Sequence, residues 1–499
     1  MSGQTWAGHP RGLATLFFTE MFERFTYYGM RALLILFMTA PALKGGLEIE
    51  TAQAGAIYGL YTGAVYLFSL PGGWIADRLL GQQRAVWYGG ILIAAGNFIL
   101  TLPFTSTFYL GLLTIVLGVG LLKPNISVIV GQLYGNDTGA RRDAGFSIFY
   151  MGINLGAFIA PLIAGTVGET LGYRWGFFCA GVAMAIGLVQ YRMTGHYLGN
   201  AGALPAPSTP AEQARNWKFV WGALVLVLAV FGLGVGGLMP LNVVSLAQYT
   251  GGAMVALAIF FFGNILLFSD CTPAEKKRVG VIAVFFAAAA VFWGGFEQQA
   301  STFNLFTRDY IDRSLFGSFF ESGQHPTSWY QSANPILVIL LSPFFAYFWV
   351  ALGARNLDPS APAKFGIGLL LLGVGFGVMV LAAELVISTG GKVAPTWILM
   401  TFLLQTMGEL CLSPIGLSNV TKLAPTRYVS QMMGTWFLGA ALGNLAAGLI
   451  GGHVGAGAVS EMPGQFMNML LIGCGAGVVM LAFSKIINGW TGGVAAKGH

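Results

Sequence analysis

The sequence predicts an all-α polytopic membrane protein: two six-helix bundles joined through a two-helix central hairpin, fourteen transmembrane helices in all. Three observations carry that expectation. First, 56% of the 499 residues are apolar and only 9% are charged, with a mean hydropathy of +0.71; soluble domains run nearer 25% charged. Second, hydrophobic runs of about 20 residues, enough to cross a bilayer core, recur along the whole chain. Third, Lys and Arg gather in alternate connecting loops, as membrane topology demands.

Taken in order, the spans fall near 13–40, 52–77, 84–104, 107–131, 143–168 and 174–198, then 217–237 and 247–269, then 279–309, 329–353, 364–387, 395–421, 430–454 and 464–488. One set of loops holds Arg78 and Arg84, Arg141 and Arg142, Arg215 and Lys218, Lys276 to Arg278, Arg355 and Lys364, and Lys422 and Arg427. The other set holds Lys44, Arg174, Arg308, Arg313 and Lys392, offset in part by Glu48, Glu50, Asp309 and Asp312. The positive-inside bias puts the first set and both termini in the cytoplasm. The net charge of +6 then needs no nucleic-acid partner. The first apolar run carries ionisable groups and does not read as a cleavable signal peptide.

Gly199 to Arg215, with Ala-Leu-Pro-Ala-Pro-Ser-Thr-Pro in its middle, is the one linker-like stretch. It sets the expected domains: a six-helix bundle over 1–198, a linker and hairpin over 199–278, and a second six-helix bundle over 279–499. A shift of 290 residues places Pro124 on Pro414 and Asn154 on Asn444, a weak repeat that fits two parallel halves, the arrangement of the major facilitator superfamily. Cys179, Cys411 and Cys474 lie in apolar spans and Cys271 in a basic loop, so neither a disulfide nor a metal-ligand spacing is read from them.

The first span carries the chemistry. At about 100° per residue, Glu20, Arg24, Tyr27, Tyr28 and Arg31 fall within a third of the helix circumference, with Glu23 at the edge. The stripe is roughly 16 Å long, half a bilayer core. A charge at bilayer depth costs about 3 kcal/mol even on the lenient insertion scale, so this face cannot meet lipid. Elsewhere the intramembrane ionisable residues are Lys123, Glu297, Glu384 and Glu409, which makes three basic and five acidic groups in all. Unpaired, the eight would cost on the order of 20 kcal/mol, more than the net stability of a typical fold.

Two readings stand at this point. The groups are fixed ion pairs that set helix register, or they are pairs that break and re-form as the protein alternates between outward-open and inward-open states. In the second reading a desolvated carboxylate takes up a proton when its cation moves away. His9, His196, His325, His453 and His499 lie at span ends or in tails, which leaves proton relay to carboxylates. Tyr66, Asn154, Asn334, Ser413 and Trp436 are further candidates for a polar cavity, although a lone Asn or Tyr in a span also serves as packing glue. No metalloprotease, nucleophile-elbow or P-loop signature occurs, so the sequence reads as a secondary transporter and not an enzyme.

Glu20-x-x-Glu23-Arg24-Phe25-x-Tyr27-Tyr28 resembles the signature of the proton-dependent oligopeptide transporter family. Phe146-Ser-Ile-Phe149-Tyr150-Met-Gly-Ile-Asn154-Leu-Gly156-Ala resembles that family's helix-five pattern, and Gly72 to Arg84 resembles the loop between helices two and three of the major facilitator superfamily. The short Ser388–Pro395 loop lacks the large extracellular insert of animal members, which makes the chain similar to bacterial ones.

The resemblance implies proton-coupled import of di- and tripeptides across a bacterial cytoplasmic membrane. It implies no cofactor beyond the proton gradient and no obligatory protein partner. Glu20, Glu23, Arg24, Lys123 and Glu297 would couple protons. Arg24, Arg31 and Lys123 would hold the peptide carboxylate; Glu409, with Asn154 and Asn334, would hold the amino terminus. Tyr27, Tyr28, Tyr66, Ser413 and Trp436 would line the site. Arg31 with Glu297, and Lys123 with Glu409, would be gate pairs. The same fold carrying nitrate, another small anion or a drug-like zwitterion is the alternative, and a non-transporting membrane receptor is a distant one.

Overall fold

In the computed structural model the described residues are 5–135, 139–238, 242–456 and 459–492. Two residue-pair strands, β1 (Thr5–Trp6) and β2 (His9–Pro10), close a small antiparallel hairpin, and helices make up the rest of the regular structure among these residues. Among the described residues, eleven helical segments are long and apolar enough to cross a membrane. Helix α1 (Gly12–Thr39) has the length, at 28 residues, but carries Glu20, Glu23, Arg24 and Arg31.

The chain divides into two compact units, Met1–Glu48 with Ala64–Asn242, and Ile49–Gly63 with Val243–His499. Helix α2 (Thr51–Leu67) therefore lies mostly in the second unit. The first unit continues with α3 (Ser69–Ile75), α4 (Gln82–Leu100), α5 (Thr105–Leu133), α6 (Ala140–Ala160), α7 (Thr166–Leu171), α8 (Tyr173–Thr194) and α9 (Pro210–Val235). Here α1 packs on α6 and α8, α4 on α5 and α8, and α3 on α5. A π-turn at Pro161–Gly165 joins α6 to α7, where proline removes a backbone donor from the helical ladder. Helix α9 buries no residue; Phe219 meets Trp74 edge-on at 5.9 Å. With mean hydropathy 2.2 over its most apolar stretch and no buried face, α9 is suited to lipid contact.

The second unit adds α10 (Val243–Phe268), α11 (Pro273–Phe296), α12 (Thr302–Tyr310), α13 (Ala333–Ala354), α14 (Ala361–Thr389), α15 (Thr396–Leu423), α16 (Val429–Ala456), α17 (Met462–Ala482) and α18 (Ser484–Trp490). Its core is α14 against α15 and α17, with α16 against α10 and α11. The start of α2 joins it through glycine. A Cβ on Gly448 would come within 2.4 Å of the Gly59 backbone, so the two helices touch main chain to main chain.

Helices α9 and α11 open with the same four residues, Thr209-Pro-Ala-Glu212 and Thr272-Pro-Ala-Glu275, and both form capping boxes. The Thr272 amide and hydroxyl donate to Glu275 at 2.8 and 2.9 Å, and the Glu275 amide donates back to the hydroxyl at 3.3 Å. The expected ninth span, 279–309, falls within one apolar segment, Pro273–Tyr310, but the helix breaks inside it. A 3-10 turn at Glu297–Ala300 ends α11, and Ser301 leaves helical geometry before α12 resumes. The termini, assigned above to the cytoplasm, and His499 lie outside the described residues, as do the side chains of Pro414 and His453.

Candidate functional site

The first unit concentrates charge on α1. Glu20 and Glu23 are buried, and both carboxylates pair with the Nε of Arg24: Glu20 at 3.1 Å across one turn, Glu23 from the adjacent position. The guanidinium of Arg24 also lies 5.3 Å from the centre of the Tyr27 ring, and that of Arg31 lies 5.7 Å from the Tyr28 ring. The two tyrosines pack edge to face at 5.2 Å. Cations over aromatic faces gain electrostatic attraction where water is excluded. The helix thus balances two carboxylates and one cation within a turn, and stands its second cation on an aromatic ring.

Neighbouring helices complete this cluster. The backbone of α6 comes so close to α1 that a Cβ on Gly156 would meet the Met21 carbonyl at 2.2 Å and Arg24 Cβ at 3.1 Å. This gives a physical role to the glycine in the Asn154-Leu-Gly156 pattern. Asn154 itself is half-buried and donates to the Tyr150 carbonyl of its own helix at 3.0 Å. On α5, Pro124 withholds the amide that would bond to the Gly120 carbonyl. Asn125 next to it donates its side-chain amide to the Leu121 carbonyl at 2.6 Å and to the Gly72 carbonyl of α3 at 3.4 Å. Lys123, one residue before the proline, places its ammonium 4.0 Å from the centre of the Tyr66 ring and within electrostatic reach of Glu20.

The second unit holds a different arrangement. Glu409, half-buried on α15, accepts a 2.9 Å hydrogen bond from the Asn334 side chain of α13, and the same amide donates to the Thr406 hydroxyl at 2.9 Å. No cation of its own unit forms an ion pair with Glu409 among the described residues. One turn away on the same helix, the Ser413 hydroxyl is buried without a hydrogen-bond partner among those residues. Trp436 of α16 is buried edge-on to Phe365 at 6.4 Å. Glu297 is buried in the turn that interrupts α11 and α12. Glu384 is exposed near the end of α14, away from this group.

Sequence reasoning missed the amides that surround these residues. Gln299 donates to the Gln405 side chain at 2.9 Å, and Gln331 donates to the Gln299 carbonyl at 2.7 Å. Gln298, Gln299, Gln405 and Thr406 are all buried. The signal was available, because three glutamines in apolar spans need partners as surely as a charge does. Of the histidines, His9 is buried against the Tyr134 hydroxyl at 2.8 Å and His325 against the Tyr330 hydroxyl at 3.2 Å, while His196 is exposed. No group of three or more His, Cys, Asp or Glu that could hold a metal ion occurs among the described residues.

Comparison with known proteins gives these residues a context. The family model described as the POT family matches residues 83–469. Peptide transporter YePEPT of Yersinia enterocolitica is 44% identical over 491 residues, which cover 96% of this chain and 95% of the relative. A di-/tripeptide transporter of Lactococcus lactis subsp. cremoris is 39% identical over 445 residues, 87% of this chain and 88% of that one. The crystal structure of a peptide transporter POT in complex with sulfate is similar at a TM-score of 0.88 and 38% identity, covering 98% of this chain and 97% of the other.

Proposed function

The chain belongs to the POT family, and from that premise we propose that it is a proton-coupled symporter importing di- and tripeptides by alternating access. The relatives and the family are transporters, not enzymes. The observation that carries the reading is where the sequence-predicted intramembrane cations lie: all three are in the first unit, which also holds Glu20 and Glu23, whereas the second unit offers carboxylates. Arg24, Arg31 and Lys123 belong to the first unit, and Glu297 and Glu409 to the second. A peptide is a zwitterion, and its ends call for opposite charges presented from different elements. Recognition of the ends alone leaves side chains free to vary.

In this reading Arg24, Arg31 and Lys123 take the peptide carboxylate, and Glu409, with Asn334 and Asn154, takes the ammonium. Asn334 is already bonded to the Glu409 carboxylate, which supports their joint role. Tyr27, Tyr28 and Tyr66 support the cations through their ring faces, and Ser413 and Trp436 line the amine side. Glu20 and Glu23 share Arg24, so drawing that guanidinium toward a substrate carboxylate leaves them with less positive charge and favours proton uptake. Glu297 changes protonation in the same cycle, and the pairs Arg31 with Glu297 and Lys123 with Glu409 form in opposite halves of it.

The reading also completes the topology. Helices α1, α2 and α4 join the eleven apolar spans to make fourteen, arranged as bundles over 1–198 and 279–499 with an insert over 199–278. The protein sits in a bacterial cytoplasmic membrane with both termini in the cytoplasm, which the loop charges support. It needs no cofactor beyond the proton gradient and no obligatory protein partner.

The test is uptake of labelled dialanine into proteoliposomes under an inward proton gradient and a negative-inside potential. Accumulation that collapses with a protonophore is expected. Absence of uptake by folded protein, with nitrate accumulated instead, would overturn the peptide assignment. Lys123→Ala should abolish gradient-driven accumulation while retaining counterflow exchange, and gradient-driven accumulation at the wild-type level would remove Lys123 from coupling.

A further inference from the structure

Where α4 begins and α8 ends, the first unit lines an open-sided cavity of about 620 Å3. Its lining includes Arg84 from the first turn of α4, Arg192 from the last turn of α8, and His196 just beyond. Both arginines are exposed, and neither has a carboxylate partner among the described residues. Loop cations are ordinarily solvated and mobile, but these stand on a built wall. Trp87 and Tyr191 stack at 6.4 Å with 20° between their planes, and the Tyr191 hydroxyl donates to the Gln83 carbonyl at 3.1 Å. The Arg192 guanidinium lies 6.0 Å from the centre of the Trp87 ring, at the limit of cation–π attraction. Arg84 sits in the first turn of α4, where the helix dipole adds positive potential.

One turn along each helix the exposed side chains become apolar. Tyr88 and Ile91 on α4 and Val189 on α8 are 48%, 40% and 60% exposed. A cationic cavity that runs into exposed apolar helix faces matches an amphipathic anion. Guanidinium groups fit phosphate oxygens through paired N–H donors. We propose that this cavity binds the phosphate headgroup of an anionic phospholipid, whose acyl chains lie along the exposed faces of α4 and α8. Inorganic phosphate has the same headgroup chemistry but leaves the apolar faces unused. The assignment does not depend on what the transporter carries.

Native mass spectrometry of the full chain in detergent micelles tests it, with phosphatidylglycerol, phosphatidylcholine and inorganic phosphate as separate probes. One saturable phosphatidylglycerol adduct is expected. The R84Q/R192Q double variant should weaken it roughly 30-fold and each single variant roughly fivefold, on the scale of one surface cation per contact. R84K/R192K should bind more tightly than R84Q/R192Q but less tightly than the wild type, because lysine restores the charge without the guanidinium fork, and Tyr88→Ala should weaken the lipid without changing phosphate binding. Equal phosphatidylglycerol affinity in the wild type and the folded single Gln variants would overturn the site. So would phosphatidylcholine binding as tightly as phosphatidylglycerol. Displacement of the lipid by inorganic phosphate at comparable concentration would make this a free-anion site and overturn the lipid assignment.

Discussion

In the first unit charged groups pair along one helix: Glu20, Glu23 and Arg24 lie within five residues, and Arg31 stands on the ring of Tyr28 three positions earlier. In the second unit the partners come from far apart in the chain. Asn334 reaches Glu409 across 75 residues and Gln299 reaches Gln405 across 106. The first cluster neutralises charge with charge, and in the second a single amide, Asn334, donates both to the Glu409 carboxylate and to the Thr406 hydroxyl. The two therefore respond differently to the loss of a member. An ion pair stripped of one partner leaves a buried charge, whereas an amide network stripped of one partner leaves a buried dipole.

The largest effect is expected at Arg24. Arg24→Ala removes the cation shared by two buried carboxylates, and breaking a buried pair costs about 3–5 kcal/mol. Uptake should vanish and the thermal unfolding temperature should fall, measured on the same detergent preparation. An unchanged unfolding temperature would mean that the carboxylates are neutral or rescued, and that α1 is not charge-balanced as its geometry states. Glu409→Gln should behave in the opposite way. The amide keeps an acceptor for Asn334, so stability should hold, while dipeptide affinity falls roughly ten- to a hundredfold with the loss of a charged hydrogen bond to the ammonium. Analogues without an amino group should lose far less, and equal losses would take Glu409 out of amine recognition.

This contrast explains what the sequence revealed and what it concealed. The α1 stripe was legible because its spacing is the interaction: positions 20, 23, 24, 27, 28 and 31 share a helix face by periodicity alone. The apolar spans are legible for the same reason. The amide network was not legible. Nothing in Gln299 or Gln405 names the other, and only the break of the helix at Glu297–Ala300 brings the Gln299 side chain to α15. That break lies inside a run whose hydropathy reads as one uninterrupted span. Asn334 and Glu409 stand out as polar residues in apolar surroundings, and the family resemblance groups them with Asn154, but their direct hydrogen bond was not legible.

The amide network admits a sharper test than a single truncation. Gln299→Leu leaves the Gln405 carbonyl oxygen buried without its donor, at a cost of about 1–3 kcal/mol. The Gln405→Leu change added on top should recover part of that loss, because removing both polar partners removes the desolvation penalty. Thermal unfolding of the two single variants and the double variant closes the cycle. A double variant that simply sums the two single losses would show that the glutamines do not act as a pair.

The smallest expected effect returns to a local device, in a position where charge meets water. At the start of α11 the Thr272 amide, and then its hydroxyl, hydrogen-bond to Glu275 and hold its carboxyl below the ordinary glutamate value; nearby Arg427 and Arg278 act in the same direction. A group whose pKa is lower in the folded state stabilises the fold above its unfolded value of about 4.3. That contribution is lost as pH falls through the lowered folded value. Thermal unfolding between pH 6 and pH 3 should therefore show a small acid-dependent decline that Glu275→Gln removes, since glutamine does not titrate. Thr272→Ala should lower stability at pH 6 and flatten the same decline, because the carboxyl then has no specific partner in the folded state. If both variants kept the wild-type slope, the cap would be geometric only. The contrast between local charge-based devices and long-range amide ones would then hold inside the membrane segment of α1 but not at the helix ends outside it.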